Sequence, residues 1–372
     1  MLARLVYAWR NLTGPRGRRE KKGLAKEMQW WPRERISDWQ WAKVKELLKH
    51  AQSAVPYYQH LFTGLGIQAG DIRTWDDFAH LPILTKKDIQ GNLDRLLARG
   101  ARAVENQTGG STGQPLRFYQ DKEYTEWARV SVSWGFGLCG FKGGERQVYL
   151  WGSDHDARWH VSLKGRLRNL THNIRFIDAF DITDRQLKRV AQELSRRQPD
   201  YIWAYASTLA LLADQIAKDG LELHPKGVQS TAGTLYPSLR NKLERVFGKV
   251  VYDRYGCREV ANIAHECNEH QGLHVFSAHN FVEIVGDGDL GLGKIIVTNL
   301  HNHAFPFIRY DTGDVAIWAG RQCGCGRSFP LLERVAGRTV EIITSPSGKL
   351  IDGEFFTHLF YKVKGVRRFQ VV

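Results

Sequence analysis

The sequence predicts an α/β fold: a mainly parallel sheet flanked by helices, followed by a small β subdomain. Three observations carry this. Between residues 147 and 256, short apolar runs alternate with amphipathic helical stretches, as parallel strands joined by crossover helices do. From 273 to 318 the helical period gives way to short β segments. And 372 residues, 42% hydrophobic and 11% aromatic, suffice for two or three buried cores.

Taken in order, residues 28 to 66 read as helical. Trp39, Trp41, Val44, Leu47 and Leu48 form an apolar face with lysines between them, and Pro56 ends one helix and starts the next. Thr85 reads as the N-cap of a helix with Asp88 in its first turn. A short strand, Leu116 to Gln120, precedes a helix over 121–139 whose stripe of Tyr124, Trp127, Val130 and Trp134 is core packing. Strands follow at 147–152, 175–180, 201–205, 228–233 and 249–256, with helices at 183–197, 207–218 and 236–247. In the later region, Phe281 to Val285, Gly293 to Leu300 and Phe307 to Tyr310 read as strands, with a turn at Asp287-Gly288-Asp289. The domain expectation is a basic segment 1–27, an α/β domain 28–272, a β subdomain 273–336 and a further segment 337–372.

Composition excludes several classes. No run of about eighteen apolar residues exists, so no membrane-spanning helix is expected. Arg4 and Arg10 interrupt the N-terminal apolar stretch, which does not read as a signal peptide. Five cysteines in a chain of this length indicate no disulfide scaffold, and a cytoplasmic location is expected. The net charge is +14, with Arg16, Arg18, Arg19, Lys21, Lys22 and Lys26 close to Leu5, Val6, Trp9 and Leu12. That pattern suits a peripheral contact with the inner membrane face, a solvated helix or a tail. Nucleic acid is not expected as a partner, because no binding motif accompanies the charge.

Parallel α/β sheets hold ligands beyond the carboxyl ends of their strands. The loops there read Trp151-Gly152-Ser153-Asp154, Tyr205-Ala206-Ser207, Ala232-Gly233-Thr234-Leu235 and Tyr255-Gly256-Cys257-Arg258-Glu259. Upstream, Thr108-Gly109-Gly110-Ser111-Thr112-Gly113-Gln114-Pro115 combines glycines, hydroxyls and no carboxylate, as a phosphate-cradling loop requires. It is not a P-loop, which needs G-x-x-x-x-G-K-[ST] opening a helix. Asp154, His155 and His160 add polar groups after a strand. Trp203, Tyr205 and Ser207 are candidates for an acyl pocket, with a core role equally open to Trp203.

The Ser/Thr/Gly loop, Ala232 to Leu235, Tyr255 to Glu259 and Tyr310-Asp311-Thr312-Gly313-Asp314 stand in an order that resembles the adenylate-forming superfamily of acyl-CoA synthetases. Within it, residues 30–372 resemble the phenylacetate–coenzyme A ligase family, in particular its CapK-like branch linked to capsular polysaccharide. The resemblance implies that this chain is the N-terminal domain of such an enzyme and that it uses ATP, Mg²⁺, coenzyme A and a carboxylic acid. Ser111, Thr112 and Gly113 would meet the β/γ-phosphates, with Thr112 and Glu259 catalytic. Gly233 and Thr234 would contact adenine, and Tyr255, beside Gly256, would stack on it. Glu259 would help hold Mg²⁺, while Asp314 and Arg338 would lie at the ribose. Activation of a carboxylate at phosphorus needs charge neutralisation and positioning, so no Ser-His-Asp triad is expected.

Two departures stand out. Arg258 occupies a position where the family carries Thr or Ser. The family's catalytic lysine belongs to a C-terminal lid domain that has only begun by Val372, and neither Lys362 nor Lys364 has the right context. A fragment is therefore expected, or a chain that adenylates poorly without a partner. Cys267, His274, Cys323 and Cys325 would make a structural Zn²⁺ site of a kind that recurs in the family, with His265 and His270 as competing ligands. The competing reading of the whole is a catalytically weak accessory protein that binds nucleotide or acyl group in surface polymer assembly. The oligomeric state stays open.

Overall fold

The computed structural model describes residues 16–108, 115–151, 160, 162–179, 182–286, 291–338, 343–344 and 350–351. Eleven helices are named here: α1 Arg16–Met28, α2 Arg33–Ala54, α3 Pro56–Leu65, α4 Trp75–Ala79, α5 Lys86–Gly91, α6 Leu93–Leu96, α7 Lys122–Leu138, α8 Leu163–Thr171, α9 Asp184–Arg197, α10 Ala206–Lys218 and α11 Pro237–Phe247. The strands begin with the antiparallel pair β1 Val104–Gln107 and β2 Arg117–Gln120, which brackets the Ser/Thr/Gly loop. β3 Gln147–Trp151, β4 Ile174–Asp178, β5 Tyr201–Tyr205, β6 Gly227–Thr231 and β7 Val251–Cys257 form the parallel part. β8 Ala261–Glu266, β9 Leu273–Val275, β10 Asn280–Val285, β11 Gly293–Asn299, β12 Tyr310–Trp318 and β13 Leu331–Arg338 complete the large sheet, and β14 Ile343–Thr344 pairs with β15 Leu350–Ile351.

The large sheet runs β10-β11-β12-β13-β9-β8-β7-β6-β5-β3-β4. Pairing is parallel from β4 through β7 and antiparallel from β7–β8 onward. The expected α/β fold with a mainly parallel sheet is therefore present. The change of pairing falls between Cys257 and Ala261, earlier than the change of sequence period near 273. Thr85 caps α5 through a reciprocal capping box with Asp88, as its sequence requires. The stripe of α7 is core: Tyr124, Trp127 and Val130 are buried, and Trp134 packs on Phe276 and Phe329.

Some expectations are corrected. Residues 307–309 are not strand. β12 begins at Tyr310, so the Asp311 to Asp314 motif lies inside a bulged strand rather than after one. The reason is Arg309, whose backbone sits at φ 50°, outside the extended region. The basic segment is not wholly a solvated tail. α1 buries Ala25 and Met28 and pairs Arg18 with Glu126 and Lys21 with Glu123 on α7. The turn at 287–289 lies outside the described residues.

Of the two roles open to Trp203, the structure shows the core one. It is 1% exposed, stacks on Phe136 at 4.0 Å and donates from Nε1 to Gln147 Oε1 at 3.0 Å. It lies on the sheet face covered by α7, two residues short of the end of β5. Trp203→Ala is expected to lower unfolding free energy by about 3–5 kcal/mol in urea titration. A loss under about 1 kcal/mol would place Trp203 outside the core.

Candidate functional site

A cavity of about 1040 Å³ opens beyond the carboxyl ends of β3, β5, β6 and β7. Each strand delivers its terminal residues. Trp151 ends β3 and Tyr205 ends β5; their rings stand 4.8 Å apart and both face the cavity. β6 ends at Thr231 and turns through Ala232, which holds the left-handed value φ 56°, so that Gly233 and Thr234 come to the wall. On β7, Asp253 to Cys257 contribute, and Arg258 and Glu259 follow. Gly256 cannot be replaced without moving backbone, because a Cβ there would sit 2.4 Å from the Ala261 carbonyl oxygen.

The far wall comes from β12, β13 and α5. The Tyr255 hydroxyl donates to Asp314 Oδ2 at 2.8 Å and stands 3.1 Å from Thr312 Oγ1. Arg338 Nε lies 4.0 Å from Asp314 Oδ1. Tyr310 is buried and donates to Glu259 Oε1 at 2.8 Å. Lys86, Lys87 and Gln90 of α5 complete that side.

Lys86, Lys87, Arg254, Arg258 and Arg338 thus face a space whose carboxylates are Asp253, Glu259 and Asp314. That balance suits a polyanion. Burial and the charge of Glu266 push the Asp253 carboxyl up to about 7, which further reduces negative charge at the site. Burial also raises Asp314, against the opposing Tyr255 hydrogen bond and the charges of Arg338 and Lys86. The Cys257 thiol is pushed well up by burial and is no nucleophile.

Gly233, Thr234, Tyr205, Tyr255, Gly256, Glu259, Asp314 and Arg338 therefore line one cavity, with Thr108 at its edge. Ser111, Thr112, Gly113, Asp154, His155, Lys362 and Lys364 lie outside the described residues. Trp203 and Ser207 are not among the lining residues; Ser207 is exposed on the first turn of α10. His160 stacks on Phe176 at 4.1 Å and belongs to the packing beneath α8. Sequence reasoning did not single out Lys86, Lys87 or Arg254, and named Tyr310 only as part of its motif. The lysines directly after a capping box were the available signal; nothing local marked Tyr310 as the partner of Glu259.

Away from the cavity, one ligand atom each from Cys267, His274, Cys323 and Cys325 lies within 4.8 Å of the others. Cys267 Sγ and Cys323 Sγ are 3.6 Å apart, and Cys325 Sγ and His274 Nε2 3.3 Å. Tetrahedral Zn²⁺ with bonds of about 2.0–2.3 Å sets such spacings at about 3.5–3.8 Å. Burial holds His274 down near 4, and hence neutral, and drives the Cys267 thiol up to about 12. A thiol at that depth ionises only beside a cation, so the donor set fits a metal. His265 and His270 are not in the cluster: His265 Nδ1 meets the Glu266 carbonyl and His270 faces the Glu266 carboxylate.

No protein-family profile matches the chain. Phenylacetate-coenzyme A ligase of Thermus thermophilus is 24% identical over 336 residues, covering 85% of this chain and 73% of that protein. Protein CapK of Staphylococcus aureus is 26% identical over 245 residues, covering 63% and 52%. In sequence the chain is thus similar to phenylacetate-coenzyme A ligases and to CapK. Among solved structures, 2-hydroxyisobutyryl-CoA ligase in its postadenylation state, in complex with R3-HIB-AMP, superposes with a TM-score of 0.74 at 16% identity, covering 91% of this chain and 75% of that one. The fold is thus that of adenylate-forming CoA ligases.

Asp253 yields a pH signature. Its folded value near 7 lies above the ordinary 3.8, so the folded state binds more protons between those values and stability falls as pH rises from about 4 to 7. Asp253→Asn is expected to flatten that slope in urea titrations across the range. An unchanged slope would show that Asp253 is ionised throughout.

Proposed function

We propose that this chain carries the nucleotide and acid sites of an ATP-dependent acyl- or aryl-CoA ligase. The observation that carries the reading is the convergence of Gly233, Thr234, Tyr255, Glu259, Asp314 and Arg338 on one cation-rich cavity. A carboxylate oxygen of the acid attacks the α-phosphorus of ATP, the bond to the β-phosphate oxygen breaks, and pyrophosphate leaves with its charge. A thiol, in this reading that of coenzyme A, then displaces AMP from the acyl-adenylate. The relatives' names support this reaction class.

The chain's own residues supply positioning and charge. Gly233 and Thr234 form the turn at the base's edge, and the Tyr255 ring is its platform. Asp314, held by the Tyr255 hydroxyl and faced by Arg338, accepts from ribose hydroxyls. Glu259, fixed by the buried Tyr310 hydroxyl, would hold Mg²⁺, which neutralises phosphate charge when bound. Ser111, Thr112 and Gly113 keep their assignment to the β/γ-phosphates, with Thr112 catalytic, on sequence order alone. Trp151 and Tyr205 frame the acyl pocket, which favours an aryl or fatty acid.

A second reading, a weakly active accessory protein in capsular or other surface polymer assembly, draws on the CapK relative and on Arg258. That cation lines the cavity next to Glu259 and would weaken the hold of Glu259 on a metal. The peripheral membrane contact read from segment 1–27 rests on charge alone, and α1 gives two of its cations to Glu123 and Glu126. Cys267, His274, Cys323 and Cys325 are proposed to hold a structural Zn²⁺ that ties β9 to the loop before β13.

Pyrophosphate release or hydroxamate formation with a panel of aryl and fatty acids tests the ligase. Asp314→Asn is expected to weaken AMP binding about tenfold by calorimetry, and Glu259→Gln to lower adenylation on the order of a hundredfold at unchanged folding. AMP and ATP binding with no acid activated would favour the accessory reading; no nucleotide affinity would end both. For the metal, elemental analysis should find zinc in the purified chain. His274→Ala and Cys325→Ser should lose it and lower Tm by about 5 °C or more. A zinc-free chain whose Tm ignores chelator removes the assignment.

A further inference from the structure

Helix α8 is built inside out. Leu163, Leu167 and Leu170 are 86%, 63% and 77% exposed, the most exposed leucines of the described residues. At about 100° per residue they share an arc of about 60°. Gly165, on the opposite side, is the buried residue of the helix. Asn169 also turns inward, its Oδ1 2.9 Å from His160 Nδ1, and the His160 ring stacks on Phe176 of β4. The side with the small and polar residues thus faces the sheet, and the apolar side faces out. Ser162 caps the helix by accepting from the Gly165 amide, so the orientation is anchored locally.

Charge decides what covers the stripe. Lys164 and Arg168 flank it on one side and Arg166 on the other, all exposed, and residues 163–171 contain no acid. A second copy meeting this face about a two-fold axis would set like charges against like. Three leucines also bury far less than the roughly 800 Å² per partner of a stable interface. An apolar stripe bordered by cations is the pattern of a helix lying in a lipid headgroup layer.

We propose that α8 is a membrane-surface contact: its leucine stripe enters an anionic bilayer at headgroup depth, while Lys164 and Arg166 meet lipid phosphates. β4 is the edge strand of the sheet, and its neighbour β3 ends at Trp151 on the cavity wall. The contact does not depend on the ligase reading.

The test is co-sedimentation of the full chain with phosphatidylcholine vesicles, with and without phosphatidylglycerol. Binding is expected only with phosphatidylglycerol, and to weaken as salt rises. Leu167→Glu combined with Leu170→Glu should lower the bound fraction at least about tenfold at unchanged Tm, since both side chains are exposed. Arg16→Glu with Lys26→Glu in α1 should leave most binding intact. The proposal is overturned by any of four results: no vesicle binding, equal binding to both vesicles, an α8 variant that binds like wild type, or an α8 variant that alters only oligomeric state in size-exclusion chromatography.

Discussion

The buried guanidinium of Arg309 is the joint on which the site depends. Its Nε donates to Glu283 Oε2 at 3.1 Å, Nη2 pairs with Glu283 Oε1 at 3.0 Å, and Nη1 donates to the carbonyls of Ala79 and Leu81. These bonds clamp the end of α4 to the start of β12. The same joint continues in the backbone. The Leu84 amide donates to the Arg309 carbonyl and the Asp311 amide to the Leu84 carbonyl, each at 2.9 Å. Lys86 follows two residues after Leu84, and Asp314 three residues after Asp311. One buried charged group, bonded through all three of its nitrogens, thus sets the separation between the N-terminal helices and the strand that carries Asp314. Leaving Glu283 without this partner would strand a half-buried carboxylate, which is why such a joint is rigid.

Within the cavity the negative charge is held in check. Three carboxylates face a cation-rich cavity, yet each is restrained. Asp253 is carried toward neutrality by burial and by Glu266, Asp314 is bonded by Tyr255, and Glu259 is bonded by Tyr310. The tyrosines act as fixed dipoles: burial raises both phenols well above their ordinary range, so they stay protonated donors. Five cationic side chains then dominate the field.

Much of the fold was legible because the parallel strands are buried on both faces and read as apolar runs between amphipathic helices. The convergence of Tyr255, Glu259 and Asp314 on one cavity was legible through the order of motifs that the family resemblance rests on. Tyr255, Glu259 and Asp314 sit on strand-end or bulged backbone that Gly256 and Gly313 mark in the sequence. What was not legible depends on pairs distant in sequence. Tyr310 serves Glu259 across 51 residues and Arg309 serves Leu81 across 228. Trp203, left open between pocket and core, shows the converse case. Its strand ends at the cavity, but the two-residue period turns residues 203 and 205 to one face while only the last one clears the sheet edge. Tyr205 reaches the cavity and Trp203 stays beneath α7.

Strain marks the same places. Ala232, Ala261 and Arg309 all hold left-handed φ values, at 56°, 61° and 50°. Alanine gains nothing from that region, at a cost on the order of 1–2 kcal/mol each. Each stands at a change of direction that the cavity needs. Ala232 turns Gly233 and Thr234 to the wall, Ala261 reverses the chain two residues after Glu259, and Arg309 turns the chain into β12. A fold free to relax would straighten these turns. They persist because the surrounding bonds over-determine them: the Gly256 to Ala261 close approach leaves no room for another path, and the Arg309 guanidinium is tied at three points. The energy stored at these turns is the counterpart of a pre-formed site, in which acids and cations wait at fixed spacing before any ligand arrives.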